Sequence, residues 1–445
     1  MSARSKITFI INHKDFLPYL LVLVLSTVLL GYALSSIALA LFSLFAIRHA
    51  ILTKTKFKLN LSLFLFILLY VLCCASYFWT VDQALSLKGI GRLLIFMLVP
   101  LLFSSIPKLK FRSFKIVLNG FTTSNIILGF FFLCVAIINY INSGSPSVFT
   151  YHDLVEVLGL NAIYVSVFYS VSYFFLLSKS IKKRVDLLGL FFLGFVILLL
   201  SSKSAIVVFI LGNFIYFMSV RGLKALKSKK NRGIVLVTII LISVASHEVV
   251  NRILIESTTN FEEVVNREKF NRVYPWTGIS IRLLQLRNLK EQIEQDDIFW
   301  KGFGIFASRE NLRLRHLAFN TYYGYHSYNY HNMYAQILSE LGIFGLLILL
   351  IILGIGFKKA FKTKSFFMLM FYVLMAIIFI TESFLWVHRG VFLFVIMNSI
   401  FHRTDFSELI TLMKKPVIPE DSNSYDVKDL ENEGFNDLSI RRKRM

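Results

Sequence analysis

The sequence predicts an all-α membrane protein, a polytopic bundle of about 12 transmembrane helices with one large extracytoplasmic loop that contains short helices. Three observations predict it. Of the 445 residues, 56% are hydrophobic and only 17% are charged, whereas soluble domains carry about a quarter charged residues. Apolar runs of membrane-crossing length recur along the chain. Lys and Arg, which give a net charge of +22, concentrate in alternate connections between these runs.

The apolar runs supply the predicted spans. The first two form a tight pair around Gly31, and the twelfth is short. Residues 1–247 would carry spans 1 to 9, and residues 333–401 would carry spans 10 to 12. The runs cover residues 16–31, 33–48, 59–79, 89–106, 114–141, 159–178, 186–201, 204–219, 233–247, 333–356, 365–381 and 390–401.

The distribution of Lys and Arg predicts the orientation of these spans. Of the 48 basic residues, 33 fall in the two terminal segments and the even-numbered connections, which the positive-inside rule places in the cytoplasm. Short connections on the other face hold only Lys88, Arg92, Lys203 and Arg389. The excess of positive charge is therefore a topology signal, and we expect membrane lipids and no nucleic acid as partners.

One long segment, residues 248–332, is predicted to be the large outer loop. It holds the remaining 11 basic residues and 10 acidic ones, so it is nearly neutral. Its apolar content predicts an ordered loop, and residues 280–295 and 309–318 have helical patterns. A long loop of this kind is usually functional or disordered. The polar tail, residues 402–445, is expected to be cytoplasmic and disordered.

His331 is the strongest candidate for a chemical role. It stands at the outer mouth of span 10, followed by Gln336 and Glu340, which are four residues apart and share a helix face. Polar groups inside a span are costly and usually face the bundle interior. A histidine at this place can take a proton from a hydroxyl group. The predicted outer histidines are His152, His247, His316, His326, His331 and His388.

A resemblance to a known family rests on three sequence elements. The run His-Asn-x-x-x-Gln-x-x-x-Glu-x-Gly-x-x-Gly at residues 331–345 resembles the O-antigen ligase and polymerase family of GT-C-like membrane glycosyltransferases. Ile281-Arg282-Leu283, with Gly302-Phe303-Gly304 further on, is similar to that family's loop pattern, although Leu286 replaces a common Trp. Ser201-Ser202-Lys203-Ser204-Ala205 is similar to a third element, with Lys203 in place of Arg. The resemblance covers roughly residues 185–390.

The resemblance implies a metal-independent, inverting glycosyltransferase without cofactor, on the periplasmic side of a bacterial inner membrane. Its donor would be a glycan on undecaprenyl pyrophosphate. A ligase would transfer this glycan to lipid A–core oligosaccharide, which we favour, and a polymerase would transfer it to another lipid-linked glycan. His331 would be the base, and donor pyrophosphate would be bound by Arg282, Lys203 and Arg287. Candidates for an acceptor or supporting role are His326, Asn332, Gln336, Glu340 and Arg313.

The residue types fit this chemistry. Pyrophosphate is a good leaving group, so the protein needs mainly to position it and to neutralise its developing charge. Arg does so through a planar fork and Lys as a point charge. Arg287 follows Arg282 by five residues, about 140° further round a helix, so the two cannot face one phosphate from a continuous helix.

Other classes of protein fit less well. Twelve spans also suit a transporter or lipid flippase, but such proteins are often built from repeated halves, and no such repeat is visible. A metal site is not expected, because Asp296-Asp297 and Glu262-Glu263 are adjacent pairs and no His-Glu-x-x-His occurs. Glu382 could form a second outer cluster with His388 and Arg389, which would be either a site or a structural network.

Overall fold

A computed structural model of the chain describes residues 16–220, 261–270, 276 and 278–407. These residues are helical, joined by short turns, with one isolated bridge between Leu109 and Thr404. The helices are α1 (Phe16–Thr27), α2 (Tyr32–Thr53), α3 (Leu61–Ala75), α4 (Gln83–Arg92), α5 (Ile95–Ser105), α6 (Phe111–Ser143), α7 (Tyr151–Val155), α8 (Ala162–Ser178), α9 (Arg184–Leu199), α10 (Lys203–Val220), α11 (Phe261–Asn266), α12 (Gly278–Gln295), α13 (Ser308–Ala318), α14 (Met333–Lys362), α15 (Phe366–Thr381) and α16 (His388–Arg403).

The predicted all-α class is confirmed for the described residues. Each predicted apolar run among them coincides with helix, although the run 89–106 contains the break between α4 and α5. The run 233–247 and most of the tail lie outside the described residues. Among the described residues, five helical stretches are long and apolar enough to cross a membrane, or six if the pair Tyr151–Leu158 and Ala162–Ser178, bent by 90°, counts as one. The total of twelve spans therefore stays a prediction.

The centre of the bundle is formed by α8, α15 and α16. Every residue of α8 from position 164 to 178, and of α16 from position 390 to 401, is buried. A helix that is apolar and buried on all sides belongs in the core of a bundle. Peripheral helices instead expose apolar side chains, such as Ile51 on α2 and Leu188 on α9. Such contiguous apolar surface suits contact with lipid.

Helix α15 determines where the sequence elements meet. It packs against α8, α10 and α14, and its last residue is Thr381. Helices α10 and α14 begin at Lys203 and Met333, next to two of the elements singled out in the sequence. The C-terminal end of α15 thereby lies among the N-terminal ends of its neighbours.

A break in α14 docks the long loop onto the bundle. Gly342 has φ 65° and ψ −166°, a conformation essentially restricted to glycine. The carbonyls of Ser339 and Glu340, which the break leaves free, accept hydrogen bonds from Phe303 N (2.9 Å) and Gly304 N (3.0 Å). A Cβ at Gly342 would collide with the Trp300 carbonyl. The Gly-x-Gly pattern therefore serves close backbone packing.

Two apolar clusters give the described part of the loop its own core. One brings Ile281 and Leu284 of α12 against Phe270, Phe319 and Tyr325. The other joins the following turn and α13 to the start of α14. The loop thus holds α12, α13 and the turn before α14 in fixed positions, which the site below requires.

Candidate active site

His331 lies in a tight turn immediately before α14. Its φ of 44° is left-handed, and its backbone N–H donates to Asn329 Oδ1 at 2.8 Å. The next residue, Asn332, caps α14 by accepting a hydrogen bond from Ala335 N at 3.0 Å. The turn and the cap together fix the direction in which the imidazole points, so Asn332 acts here as a helix cap.

Glu382 faces the imidazole of His331. Its Oε2 lies 3.4 Å from His331 Nδ1, and its side chain is only 6% exposed, compared with 28% for His331. The Tyr328 ring packs edge-on against the imidazole at 5.1 Å. Within the described part of the chain, Nε2 of His331 has no hydrogen-bond partner. A carboxylate at Nδ1 favours the tautomer in which Nε2 can accept a proton.

Arg282, on α12, joins the same group. Its Nη2 donates to Glu382 Oε1 at 3.1 Å and to the Thr381 carbonyl at 2.6 Å. Its Nε donates to the Thr381 carbonyl at 2.9 Å and lies 3.4 Å from the His331 carbonyl. Its Nη1 donates to the Gly278 carbonyl at 2.7 Å. The guanidinium therefore holds both Glu382 and the backbone of His331 in place.

The third sequence element meets this group at Thr381. Ser204 Oγ donates to Thr381 Oγ1 at 2.9 Å, while the carbonyl of the same residue accepts from Arg282. Lys203, the first residue of α10, is half-buried beside this contact. Three segments that are distant in sequence, around positions 203, 282 and 331, are thus linked through the end of α15.

Gln336 and Glu340 lie beneath the site and are completely engaged with the protein. Glu340 is 1% exposed, and its carboxylate accepts from Phe306 N, Trp386 Nε1, Ser308 Oγ and Gln336 Nε2 at 2.6 to 2.9 Å. A buried carboxylate with this many donors is well satisfied. Glu340 thereby joins the loop and the segment before α16 to α14. Its surroundings favour a structural role over contact with an acceptor.

The comparisons with known proteins bear on residues 188–350, which match the family model described as O-antigen ligase. The matched region contains Lys203, Arg282 and His331. Over these residues the chain is similar to the O-antigen ligase family. The resemblance seen in the sequence is thereby confirmed, and the match supports an enzyme role in general. No curated protein matches the chain.

Three other residues that the sequence predicts for the site have contacts away from His331. Arg287 donates to the carbonyl of Arg267 at 2.7 Å and stacks over Phe319, so the structure does not bring it to His331. On the surface, Arg313 donates from Nη2 to Glu310 Oε1 at 2.6 Å and from Nε to Glu310 Oε2 at 2.8 Å. His326 contacts the Thr321 carbonyl at 3.2 Å. The contacts of all three residues favour structural roles.

Glu382 is the residue of this site that the sequence placed wrongly. The expected cluster of Glu382 with His388 and Arg389 does not form. Glu382 pairs with Arg282 and His331, whereas His388 Nε2 lies 2.7 Å from Ser35 Oγ. The available signal was an acidic residue directly after an apolar run. That signal does not show which neighbour the carboxylate faces, and Glu382 lies beyond the matched region.

The chemistry available at the candidate site is that of an imidazole, a carboxylate and cationic side chains. In the part of the chain that the structure describes, no three His, Cys, Asp or Glu side chains come together as a metal site requires. The arrangement can accept a proton at His331 and place positive charge next to it.

Proposed function

We propose that this protein is an O-antigen ligase that transfers a glycan from undecaprenyl pyrophosphate to lipid A–core oligosaccharide at the periplasmic face of the bacterial inner membrane. The observation that carries the proposal is the contact of His331 with Glu382, which Arg282 holds in place. Family membership of residues 188–350 supplies the class of reaction.

In the proposed reaction, His331 Nε2 takes the proton of the acceptor hydroxyl. The hydroxyl oxygen attacks the anomeric carbon of the donor sugar while the bond from that carbon to the pyrophosphate oxygen breaks. A single displacement of this kind inverts the configuration at the anomeric carbon. Glu382 stabilises the imidazolium that forms, because an opposite charge at Nδ1 favours the protonated ring.

Lys203 and Arg282 supply positive charge for the departing pyrophosphate. Arg282 donates directly to the Thr381 carbonyl at the end of α15. Lys203 directly precedes Ser204, whose hydroxyl donates to Thr381 Oγ1. Fixed cations at the place where negative charge develops stabilise the transition state without reorganisation. In this proposal cationic side chains, rather than a metal ion, neutralise the leaving group, as the family resemblance implies.

The replacement His331→Ala tests the proposed base. It should abolish transfer while the protein still folds, because α14 is capped by Asn332 and not by the imidazole. The measurement is a gel of surface lipopolysaccharide from cells that lack the gene and carry either variant or wild-type copies. His49→Ala, on α2 and without a catalytic assignment, is the control. Wild-type ladders in the His331→Ala strain would rule out the base assignment.

The same gel separates ligase from polymerase. Loss of long glycan from lipid A–core, with accumulation on the lipid carrier, is the ligase result. Single repeats on lipid A–core would identify a polymerase, which uses the same donor and base. A ladder that does not change in the deletion strain would favour a transporter of lipid-linked sugars.

A further inference from the structure

A cavity of about 100 Å³ adjoins the proposed site. It shares Asn329, whose side chain binds the backbone N–H of His331, and it reaches Gln336 on α14. This volume is several times what a single water needs. Arg92 and Arg309 both line it, from the end of α4 and the start of α13. None of the described residues that line the cavity is acidic.

The N–H groups of the two guanidiniums are available for a ligand. Neither Arg92 nor Arg309 makes a hydrogen bond or ion pair with any described residue; Arg92 only lies over the Phe306 ring at 5.2 Å. Phe306 in turn stacks on Trp386 at 5.8 Å, so an aromatic pair supports Arg92 without using its N–H groups. Arg282, by contrast, directs most of its N–H groups at Thr381, Gly278 and Glu382, so it would act on the leaving group mainly through its charge.

The position of Arg309 also favours an anion. It is the second residue of α13, an 11-residue helix, and the N-terminal end of a helix dipole repels cations and attracts anions. The nearest acidic residue along the chain, Glu310, is occupied by Arg313 through two hydrogen bonds. Arg309 and Arg92 are both exposed. Arg309 has no acidic partner among the described residues, and it lines the cavity together with this second cation.

We propose that Arg92 and Arg309 form a binding site for a phosphoryl group of a substrate, separate from Lys203 and Arg282. Oxyanions of phosphate match the planar fork of Arg, and an oxyanion between the two guanidiniums would remove their mutual repulsion. The group would belong either to the donor pyrophosphate or to a phosphorylated acceptor. This inference rests on the proposed function only for the identity of the substrate.

The test uses the purified full-length protein in detergent, with inorganic pyrophosphate as the probe in calorimetry. Wild type should bind it. Arg92→Gln and Arg309→Gln should each weaken binding at the cavity about 10-fold, because each removes one charge-assisted contact, and the double variant should keep only the binding that Lys203 and Arg282 provide. Lys88→Gln, one turn before Arg92 on the same exposed helix, should bind as wild type does. Binding needs no transfer, so this readout is independent of the ligase assignment.

Transfer kinetics then identify the source of the phosphoryl group. A raised KM for the lipid-linked donor in Arg92→Gln and Arg309→Gln assigns the cavity to the donor pyrophosphate. A raised KM for the acceptor alone assigns it to an acceptor phosphate. Equal pyrophosphate binding in wild type and the double variant overturns the proposal.

A second pair of variants distinguishes loss of a binding contact from misfolding of the protein. Arg92→Lys and Arg309→Lys keep the charge but not the fork, so they should bind pyrophosphate less tightly than wild type and more tightly than the Gln variants. Affinity equal to that of wild type in both Lys variants would show that the guanidiniums are not used as forks and would contradict the proposed site.

Discussion

At the scale of single residues, the site depends on which side chain each polar group faces. Glu382 is buried at 4% exposure and has two cationic or cation-forming neighbours, Arg282 and His331. Burial of a carboxylate is tolerated because these partners compensate its charge. The pair His331–Glu382 therefore follows from the fold around it, and its members are 51 residues apart in the chain.

Glu382→Gln tests the positioning role of this carboxylate. The amide keeps the size but not the charge, so transfer should fall about 10- to 100-fold, as is typical when the partner of a functional His is removed. Glu294→Gln, an exposed residue paired with Lys290, is the control. Wild-type kinetics in Glu382→Gln would contradict the role.

A second residue-scale prediction concerns His316 in the loop. The ring is fully buried, between Gln285 Nε2 at 3.1 Å and Thr321 Oγ1 at 3.0 Å. Burial, and secondly the neighbouring His326, lower the pKa of His316 to about 4. In the unfolded state the pKa of His316 is about 6.5, so below this pH the unfolded chain takes up a proton that the folded chain does not. The contribution of His316 to folding stability is therefore complete above pH 6.5 and is lost as the pH falls towards 4.

The loss should reach about 3 kcal/mol at most, because the pKa of His316 falls from about 6.5 in the unfolded state to about 4 in the folded state. Hydrogen exchange of the segment 308–326, corrected for intrinsic rates, should show weaker protection at pH 5 than at pH 7. In His316→Gln, which cannot titrate, the difference should be much smaller. Equal protection of the wild-type loop at both pH values would show that His316 does not control its stability.

At the scale of elements, the break in α14 connects the helix that begins after His331 to the loop that carries Arg282. The backbone hydrogen bonds that the break makes available are used by Phe303 and Gly304. Glu340 and Gln336 reinforce this contact from the side chains. The glycines of the family pattern thus act on the site indirectly, through the placement of the loop.

Gly342→Ala tests this connection. The Ala would need a Gly-only backbone conformation, at a cost of about 1–3 kcal/mol, and its Cβ would collide with the Trp300 carbonyl. We expect a lower melting temperature and strongly reduced transfer. Gly354→Ala in the same helix is the matched control, because no atom lies within 4 Å of its added Cβ. It should be neutral or stabilise by about 0.5–1 kcal/mol. Equal melting temperatures of the two variants would contradict the role of the break.

At the scale of the whole molecule, the site requires the predicted topology. The end of the bundle that carries His331 must face the periplasm, since the proposed donor and acceptor meet there. The connection between α14 and α15, at the opposite end of both helices, must then face the cytoplasm. The charge pattern predicts this orientation, and labelling can test it.

Single cysteines, introduced after Cys73, Cys74 and Cys134 are replaced, provide the test. Lys290→Cys on α12, whose side chain is 75% exposed, should react with a membrane-impermeant maleimide in cells with a permeabilised outer membrane. Lys364→Cys, between α14 and α15, should react only after lysis. The reverse pattern would invert the topology and remove the proposed periplasmic site.

The sequence by itself determined the helical class and the position of the described helices, and its motifs predicted the family resemblance. Each depends on local information: apolar runs of helical length, turn residues between them, and short motifs around Lys203, Arg282 and His331. It also identified Arg287, Arg313 and His326 as candidates, because a basic or titratable residue in an outer loop has the same local signature whatever it contacts.

Only the tertiary structure decided which of these residues meet. Thr381 became the junction because α15 packs against both α10 and α14, and Glu382 turned towards Arg282 rather than Arg389. The buried network of Glu340 and the cavity between Arg92 and Arg309 likewise arise from segments far apart in the chain. Charge pairing and burial are properties of neighbours in space, and a sequence shows its neighbours only along the chain.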